Sequence, residues 1–195
     1  MKLLSEGAEA KIFKIDEKII KKVRIEKQYR LKQLDLKLRK SRNRREFKIL
    51  NKLKQLNVNV PKVIDIIEKP EEISFTMEYL EGKNLKNCLT KKTLFEAFKQ
   101  IILIHKNEIV HGDLTTLNMI NCKKNKIYII DFGLSEFNSN IEMRAVDLNL
   151  FFTCIKNEHK DFYKYKNELL EIYSKEINKE VLIRLNNIEH RGRNK

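Results

Sequence analysis

Two short polar segments carry side chains whose types and spacing could hold a metal ion. The segment "HGDLTTLN" places Asp113 and Asn118 five positions apart between apolar stretches, and "DFG" begins at Asp131, thirteen residues past Asn118. Burying such groups without partners costs several kcal/mol. Their oxygens are hard ligands suited to Mg²⁺, so a bound ion would supply the missing partners. Each motif alone occurs often by chance, but their combination is specific.

The combination H-x-D-x4-N followed by DFG resembles the catalytic loop and the metal-binding motif of protein kinases. The resemblance implies that Asp113 faces an attacking hydroxyl or water, that Asn118 and Asp131 hold magnesium, and that ATP is the phosphoryl donor. His111 in the loop and His105 in the preceding helix are expected to be structural.

A kinase-type site also needs a cation for the phosphates. The strand "IIKK" offers Lys21 and Lys22, and strand alternation points only one of them inward. We favour Lys21, because it shares a face with Ile19 and because "IIK" resembles the kinase V-A-I-K strand; Lys22 is the alternative. Glu46 precedes Leu50 by four residues on a predicted helix, so it shares the inward stripe and is the expected partner of the lysine. A surface pair between Glu46 and a neighbouring arginine is the other interpretation.

The segments expected to contact the nucleotide itself are less distinctive. "SEGAEA" has one glycine where kinases have G-x-G-x-x-G, and "FTMEYLEG" resembles the stretch that joins the two kinase lobes, with Met77 at the back of the pocket and the backbones of Glu78 and Leu80 beside the adenine. The predicted cofactor-binding residues are Gly7, Ala8, Glu9, Ala10, Lys21, Glu46, Met77, Glu78 and Leu80.

Hydrophobic periodicity predicts the elements that position these residues. Strands are expected at "AKIFKI" and "IIKKVRI" around the turn "DEK", at "VIDIIEK" and "ISFTMEYL", and at "IYIID". Helices are expected over residues 29–56, 93–106 and 145–185, and Gly82 is expected to permit a sharp change of direction. The pattern predicts an α+β, two-lobed fold like a small atypical protein kinase. Its parts are a β-rich N-lobe (1–79), a hinge (80–83), a helical C-lobe (84–188) and a basic C-terminal tail (189–195).

The composition fits a nucleotide-binding protein. The 195 residues include 41 Lys and Arg against 27 Asp and Glu, so the surface should attract nucleotides, nucleic acid or an acidic partner. The three cysteines match no metal spacing, which favours a reduced, cytoplasmic setting. No apolar stretch is long enough to span a bilayer, and the first residues do not resemble a secretory signal, so no membrane association is expected.

The chain is short for a protein kinase. Only sixteen positions separate Asp131 from Asp147, and no A-P-E motif follows the DFG, so the usual platform for a peptide substrate is missing. Asp147, in "RAVDLNLFF", is expected to open a buried helix and to hold the catalytic loop by hydrogen bonds.

A more specific resemblance covers nearly the whole chain. The segments "EGAEAKIF", "IIKKVRIEKQYRLKQLDLKLRKSRNRRE", "HGDLTTLN", "DFGLSEF", "AVDL" and the terminal "RGRNK" are similar to the small atypical kinase/ATPase of the KEOPS complex, the Bud-type or PRPK family. At the terminus, Asn194 departs from the family's R-G-R-K ending. The resemblance implies an ATP- and Mg²⁺-dependent serine/threonine kinase/ATPase that supports threonylcarbamoyladenosine formation in tRNA. Its implied partners are the ASKHA-fold catalytic subunit and a small regulatory subunit on the N-lobe.

The distribution of charge points to tRNA as a further partner. Thirteen Lys or Arg against three acids lie between Lys21 and Lys48, and Arg191, Arg193 and Lys195 follow at the terminus. Such density attracts phosphate backbones. A solvated helical face with a frayed tail is the competing interpretation.

Two other functions remain open from the sequence. A small-molecule phosphotransferase of the aminoglycoside-kinase or RIO-like type also uses an "HGDL" loop, although the chain lacks the usual substrate-binding insertion. A non-catalytic scaffold that binds tRNA and protein partners is the second, but the intact Asp113, Asn118 and Asp131 argue against it.

Overall fold

Strands occupy most of the first eighty residues of the chain, and helices occupy most of the rest. The computed structural model describes residues 1–191, and the chain separates into two units, the first being Met1–Leu80 and the second beginning at Glu81. The α+β class, with a β-rich first part and a helical second part, is confirmed.

The first unit is built on a five-stranded antiparallel sheet. In the order β1-β2-β3-β5-β4, every neighbouring pair is antiparallel. The predicted turn "DEK" joins β2 to β3, and there Asp16 Oδ1 accepts hydrogen bonds from the amides of Lys18 (2.7 Å) and Ile19 (2.8 Å). The strands are β1 (Lys2–Glu6), β2 (Ala10–Lys14), β3 (Ile19–Arg24), β4 (Val63–Lys69) and β5 (Glu72–Glu78).

One long helix, α1 (Lys32–Gln55), packs on β4 and β5. Its second half buries an apolar stripe that includes Leu50 and Leu53, and Phe47 meets Phe75 of β5 edge to face at 6.2 Å. Burial of these side chains fixes the helix on the sheet.

The first half of α1 buries polar groups instead. Leu31 and Leu34 are 80% and 50% exposed, while Asp35, Arg39 and Asn43 are buried. The inward stripe of α1 is therefore charged at its start, and its carboxylate and guanidinium groups need partners nearby.

The second unit combines a small sheet with four helices and a short helical turn. Its aromatic core centres on Phe98, whose ring lies 5.9 Å from Phe151, 5.7 Å from Phe152 and 6.2 Å from Tyr173. The antiparallel strands, in the order β6-β7-β8, are β6 (Gly82–Asn84), β7 (Met119–Cys122) and β8 (Lys126–Ile129). The helices are α2 (Lys91–Lys106), α3 (Ile141–Glu158), α4 (Lys160–Tyr163, one turn), α5 (Lys166–Glu176) and α6 (Lys179–Arg191).

Capping side chains set where α2 and α3 begin. Thr90 and Thr93 form a reciprocal capping box at the start of α2, and Asn140 Oδ1 accepts from the Met143 amide (2.9 Å) at the start of α3. The predicted helices at 93–106 and 145–185 are confirmed, the second as α3 to α6 with an earlier start.

Gly82 lies in a strand and not at the sharp change of direction that the sequence suggested. It pairs with Cys122 inside β6, and an added Cβ would lie 2.5 Å from the Asn121 carbonyl oxygen. Close approach of two backbones is what requires glycine at this position.

The boundary between the two units lies at the predicted hinge. The division falls between Leu80 and Glu81, within the expected hinge segment, and α6 continues as helix to Arg191. The remainder of the predicted basic tail, residues 192–195, lies outside the described residues. Within residues 1–191, no helix has the length and apolar character needed to cross a membrane.

Candidate active site

The loop that carries Asp113 and Asn118 leads into β7. It closes with a 3-10 turn over Thr116–Asn118. The Asn118 side-chain Nδ2 donates to the Asp113 carbonyl oxygen at 2.8 Å and to Asp113 Oδ2 at 2.9 Å. Because the amide nitrogen is engaged in this way, Asn118 offers its side-chain oxygen as the group that could bind a cation.

Asp131 is brought beside Asn118 by the antiparallel pairing of β7 with β8. The Ile130 amide donates to the Asn118 carbonyl oxygen at 2.9 Å, so the two predicted metal ligands stand on adjoining stretches of backbone. Asp131 itself has a φ of 61°. Non-glycine residues seldom adopt this conformation, and Asp is among the residue types that tolerate it best.

The His111 ring contacts the backbone beside both Asp113 and Asp131. It is fully buried, its Nε2 lies 2.9 Å from the Ile130 carbonyl oxygen, and its Nδ1 lies 3.2 Å from the Asp113 amide. A carbonyl can only accept and an amide can only donate, so the ring is the neutral tautomer with its proton on Nε2. His111 is structural, as expected.

Asp147 ties the start of the loop to α3. Its Oδ2 accepts from the His111 amide at 2.6 Å and its Oδ1 accepts from the Gly112 amide at 2.9 Å. Burial acts to raise the pKa of Asp147, but the hydrogen bonds that its carboxylate accepts from the His105 ring and from the His111 backbone amide outweigh this, so the pKa lies below its usual value. The predicted anchoring role is supported, but Asp147 is the seventh residue of α3 rather than its first, because Asn140 caps the helix.

Behind Asp147 stands a second buried polar pair. His105 Nε2 lies 3.3 Å from Asp147 Oδ2, and its Nδ1 lies 2.8 Å from the Tyr173 hydroxyl. Burial raises the pKa of Tyr173 far enough to keep the phenol protonated, so it donates to Nδ1 while Nε2–H donates to the carboxylate. His105 is therefore also structural.

The far end of the loop is held by residues that sequence reasoning missed. Thr116 Oγ1 lies 3.1 Å from Cys154 Sγ and 3.2 Å from Glu158 Oε2, and Lys86 Nζ lies 2.6 Å from Glu158 Oε1. Cys154 and Glu158 follow Asp147 by seven and eleven residues, which is the spacing of one helical face. That periodicity is the only sequence signal that could have found them.

In the first unit, Glu46 pairs with Lys22 and not with Lys21. Lys22 Nζ lies 2.7 Å from Glu46 Oε1, whereas Lys21 Nζ lies 2.5 Å from Glu72. The prediction that Lys21 is the partner of Glu46 is wrong, and the alternative, Lys22, takes its place. The physical reason is that α1 covers the face of β3 that carries Lys22 and Arg24, so Lys21 points to the opposite face.

Glu46 also binds a second cation. An Arg24 guanidinium nitrogen is hydrogen-bonded to Glu46 Oε2, and all three side chains are at least 95% buried. A buried carboxylate of this kind is tolerated only when its charge is compensated and its oxygens are satisfied. Arg24 was not predicted, although alternation places it on the face of Lys22.

The turn between β1 and β2 carries the residues expected to cover the phosphates. The Gly7 amide donates to the Ala10 carbonyl at 2.9 Å, the Ala8 carbonyl accepts from the Lys27 ammonium, and Glu9 Oε2 lies 2.6 Å from an Arg42 guanidinium nitrogen. The turn is thus closed on itself and also tied to α1.

The residues expected beside the adenine lie at the end of β5. Met77 and Leu80 are buried, and the Glu78 amide donates to the Lys62 carbonyl oxygen at 2.8 Å. Because that N–H is already hydrogen-bonded, Glu78 could contact the adenine only through its carbonyl oxygen, as an acceptor.

The donor set fits a magnesium ion better than a transition metal. Across residues 1–191, no group of three or more His, Cys, Asp or Glu side chains is placed to hold a metal. Magnesium is commonly bound through one or two protein oxygens, with substrate phosphates and water completing the shell. Asn118 and Asp131 meet that requirement.

Comparison with known proteins gives consistent results. The family model described as protein kinase domain matches residues 1–154. The "KEOPS complex subunit Bud32" of Pyrococcus abyssi is 40% identical over 99% of this chain and 96% of its own length. The "Probable serine/threonine-protein kinase BUD32 homolog" of Archaeoglobus fulgidus is 34% identical over 96% of this chain and 93% of its own.

Two further matches cover longer proteins. A "Probable bifunctional tRNA threonylcarbamoyladenosine biosynthesis protein" of Methanosarcina acetivorans is 32% identical over 97% of this chain, which spans only 35% of that protein. Among solved structures, a Rio2 kinase–ADP/Mg²⁺–phosphoaspartate complex from Chaetomium thermophilum has a TM-score of 0.65 at 14% identity, covering 92% of this chain and 62% of the Rio2 chain.

The Rio2 likeness shows the protein-kinase-like fold and nothing finer. The family is shown by the sequence matches, which run nearly from end to end of this chain and of its two archaeal relatives. This chain belongs to the Bud32 family of small atypical protein kinases.

Proposed function

We propose that this chain is the ATP- and Mg²⁺-dependent serine/threonine kinase/ATPase subunit of a KEOPS complex, which supports formation of threonylcarbamoyladenosine in tRNA. The observation that carries the proposal is the arrangement of Asp113, Asn118 and Asp131 on two paired segments, with the loop held at its start by Asp147. The names of the archaeal relatives supply the complex and the modified nucleoside.

Each residue of this group has a role in phosphoryl transfer. Asp113 is exposed, and we assign it to orient the attacking water or hydroxyl and to accept its proton. Asn118 and Asp131 would hold magnesium through their side-chain oxygens. When bound, the ion neutralises charge on the ATP phosphates and orients them for in-line transfer.

Lys22, rather than Lys21, is proposed to bind the phosphates. Its ammonium is held by Glu46, which matches the Lys–Glu pair of protein kinases. Met77, Glu78 and Leu80 are proposed to meet the adenine, and the turn from Gly7 to Ala10 is proposed to cover the phosphates.

The proposed partners follow from the family. They are the ASKHA-fold catalytic subunit of the complex, a small regulatory subunit on the first unit, and tRNA. A cytoplasmic location is part of the proposal, and three free cysteines, none fully exposed, agree with it.

Contact with tRNA must rest on fewer cations than the sequence suggested. At least seven of the thirteen Lys and Arg residues between Lys21 and Lys48 pair with carboxylates inside the first unit. Lys32, Lys37 and Lys48 of α1 are exposed, and we assign phosphate contacts to them.

The direct test is ATP hydrolysis by the purified chain, measured alone, with the ASKHA-fold subunit, and with that subunit plus tRNA. We expect turnover to depend on Mg²⁺ and to rise when the partner is added. Turnover that neither addition stimulates would contradict the KEOPS assignment. Phosphorylation of an aminoglycoside in the same assay would favour the small-molecule phosphotransferase instead.

A further inference from the structure

The phosphate-covering turn carries a carboxylate that a nucleotide should repel. Glu9 lies at the tip of the β1–β2 turn and its side chain is 43% exposed. A triphosphate bound under this turn, as the proposed function requires, would meet a like charge at close range. The turn also has a single glycine, so fewer of its amides can turn freely towards phosphate oxygens than in the G-x-G-x-x-G loop of protein kinases.

The structure shows what compensates this charge. Glu9 Oε2 lies 2.6 Å from Arg42 Nη1 of α1, and Glu9 Oε1 lies 3.9 Å from an Arg30 guanidinium nitrogen. Two cations therefore face one carboxylate. A single ion pair at the surface contributes little to stability, but several charges that form a network contribute more.

The backbone of the turn is held independently of this pair. The Lys27 ammonium donates to the Ala8 carbonyl, and the Ile25 amide donates to the Glu9 carbonyl at 3.2 Å. Both donors belong to the segment between β3 and α1. The position of the turn is thus fixed by hydrogen bonds to its own carbonyl groups, and the Glu9–Arg42 contact acts mainly on the side-chain charge.

Buried Asp35 holds the same segment from the helix side. It lies 3.7 Å from Arg30 and 2.6 Å from Arg39, and it accepts from the Lys27 amide at 3.3 Å. Arg30 therefore stands between Asp35 and Glu9, which links the turn to the buried charged stripe of α1.

The helix residue that meets Glu9 is also close to the proposed phosphate-binding lysine. Arg42 and Glu46 are four residues apart on α1 and so lie on one face of the helix. Through Arg42 the helix holds the Glu9 carboxylate, and through Glu46 it orients Lys22.

We infer that Arg42, assisted by Arg30, is a positioning residue for nucleotide binding: it neutralises Glu9 and holds its carboxylate away from the triphosphate, so that α1 positions the Glu9 carboxylate and Lys22 together. The inference rests on the proposed function. It assigns Arg42 and Arg30 to the nucleotide site, where the sequence suggested a contact with tRNA.

The inference predicts an asymmetry between the two partners of the pair. Arg42→Gln leaves the Glu9 carboxylate beside the phosphates with only the more distant Arg30, at 3.9 Å, whereas Glu9→Gln removes the negative charge and frees the arginine. We therefore expect Arg42→Gln to weaken Mg-ATP binding about tenfold, and Glu9→Gln to weaken it less than threefold. The double variant should bind nearly as well as Glu9→Gln, since the repelling charge is gone.

The measurement is equilibrium binding by calorimetric titration with Mg-ATP and, separately, with adenosine. Adenosine has no phosphates, so its affinity should be the same in all variants; a fold defect would lower both affinities. Arg44→Gln is the matched control, because Arg44 lies on the same helix and pairs with Glu68 at 2.7 Å, away from the turn.

Two results would overturn the inference. One is Mg-ATP affinity unchanged by Arg42→Gln, and the other is an equal loss for Mg-ATP and adenosine. Because binding needs no turnover, these results are independent of whether the wild-type chain hydrolyses ATP, and failure of the proposed function would appear separately as absent hydrolysis with intact binding.

Discussion

Lys22 Nζ lies 2.7 Å from Glu46 Oε1, and both side chains are at least 96% buried. The same carboxylate binds Arg24, so one acid compensates two cations in the interior of the first unit. Removing one member of a buried ion pair leaves an uncompensated charge and typically costs about 3–5 kcal/mol. This small cluster links the packing of α1 on the sheet to the proposed phosphate contact.

The two neighbouring lysines should differ sharply in function. Lys22→Met removes the proposed phosphate contact, and we expect kcat/KM for Mg-ATP to fall by about a hundredfold, which corresponds to about 2.7 kcal/mol. Lys21→Met breaks only the contact with Glu72 and should change kcat/KM less than threefold. Steady-state hydrolysis of Mg-ATP by both variants is the measurement. A larger loss of kcat/KM in Lys21→Met than in Lys22→Met would favour Lys21 as the phosphate-binding residue.

Asp147 should govern both the loop and the acid stability of the chain. Asp147→Asn keeps only one acceptor oxygen for two backbone amides, so we expect activity to fall at least tenfold and the free energy of unfolding to drop by about 1–3 kcal/mol.

The acid dependence of this effect has a defined sign. The pKa of Asp147 is lower in the folded state than in the unfolded chain, so its carboxylate stabilises the fold above its unfolded pKa, near 3.9, and the contribution disappears as pH falls through the folded pKa. Urea unfolding from pH 7 to pH 3 should therefore show the difference between wild type and Asp147→Asn shrinking only below about pH 4. A difference that is constant down to pH 3 would contradict the assignment.

Gly112 should not tolerate a side chain. Its φ is +80°, and an added Cβ would lie 2.4 Å from the Leu134 carbonyl oxygen, so Gly112→Ala should destabilise the chain by more than about 2 kcal/mol and displace the loop. Gly7→Ala is the control, since its added Cβ would meet only the Ala10 oxygen at 3.7 Å. Melting temperatures of the two variants give the comparison, and equal shifts would be inconsistent with it.

The dependence of hydrolysis on Mg²⁺ concentration should change when Asn118 is replaced. Asn118→Ala removes one proposed ligand oxygen and also the hydrogen bonds that orient Asp113. We expect the Mg²⁺ concentration for half-maximal hydrolysis to rise about tenfold or more, together with a lower maximal rate. Asn121→Ala, three residues further along β7, is the control; an unchanged Mg²⁺ dependence in Asn118→Ala would remove this residue from the metal site.

Local pattern was enough to predict five of the eight strands within residues 1–191, the main helical regions and the polar loop, while β1, β6 and β7 were missed. The turn at Asp16, the helix over residues 29–56 and the segment "HGDLTTLN" are all set by residues close in sequence, and each was found from sequence alone. Alternation in β3 likewise showed that Lys21 and Lys22 face opposite sides.

Local sequence pattern could not show which face of a strand would be covered by another element of the fold. The choice between Lys21 and Lys22 depends on which side of β3 is covered by α1, and the helix brings Glu46, 24 residues further along the chain, to Lys22. Asp35, Arg39 and Asn43 are polar residues of the kind usually found at the surface, so their burial follows only from partners brought together by folding. The position of Asp147 within α3 depended on a cap seven residues earlier.

The central claim is that Asp113 acts in phosphoryl transfer on ATP bound with magnesium. Its most direct test is single-turnover hydrolysis of Mg-ATP by Asp113→Asn, with nucleotide affinity measured on the same sample. We predict a rate reduced by about a hundredfold or more, with affinity for Mg-ATP within threefold of wild type. An unchanged rate would show that Asp113 has no catalytic role and would contradict the account.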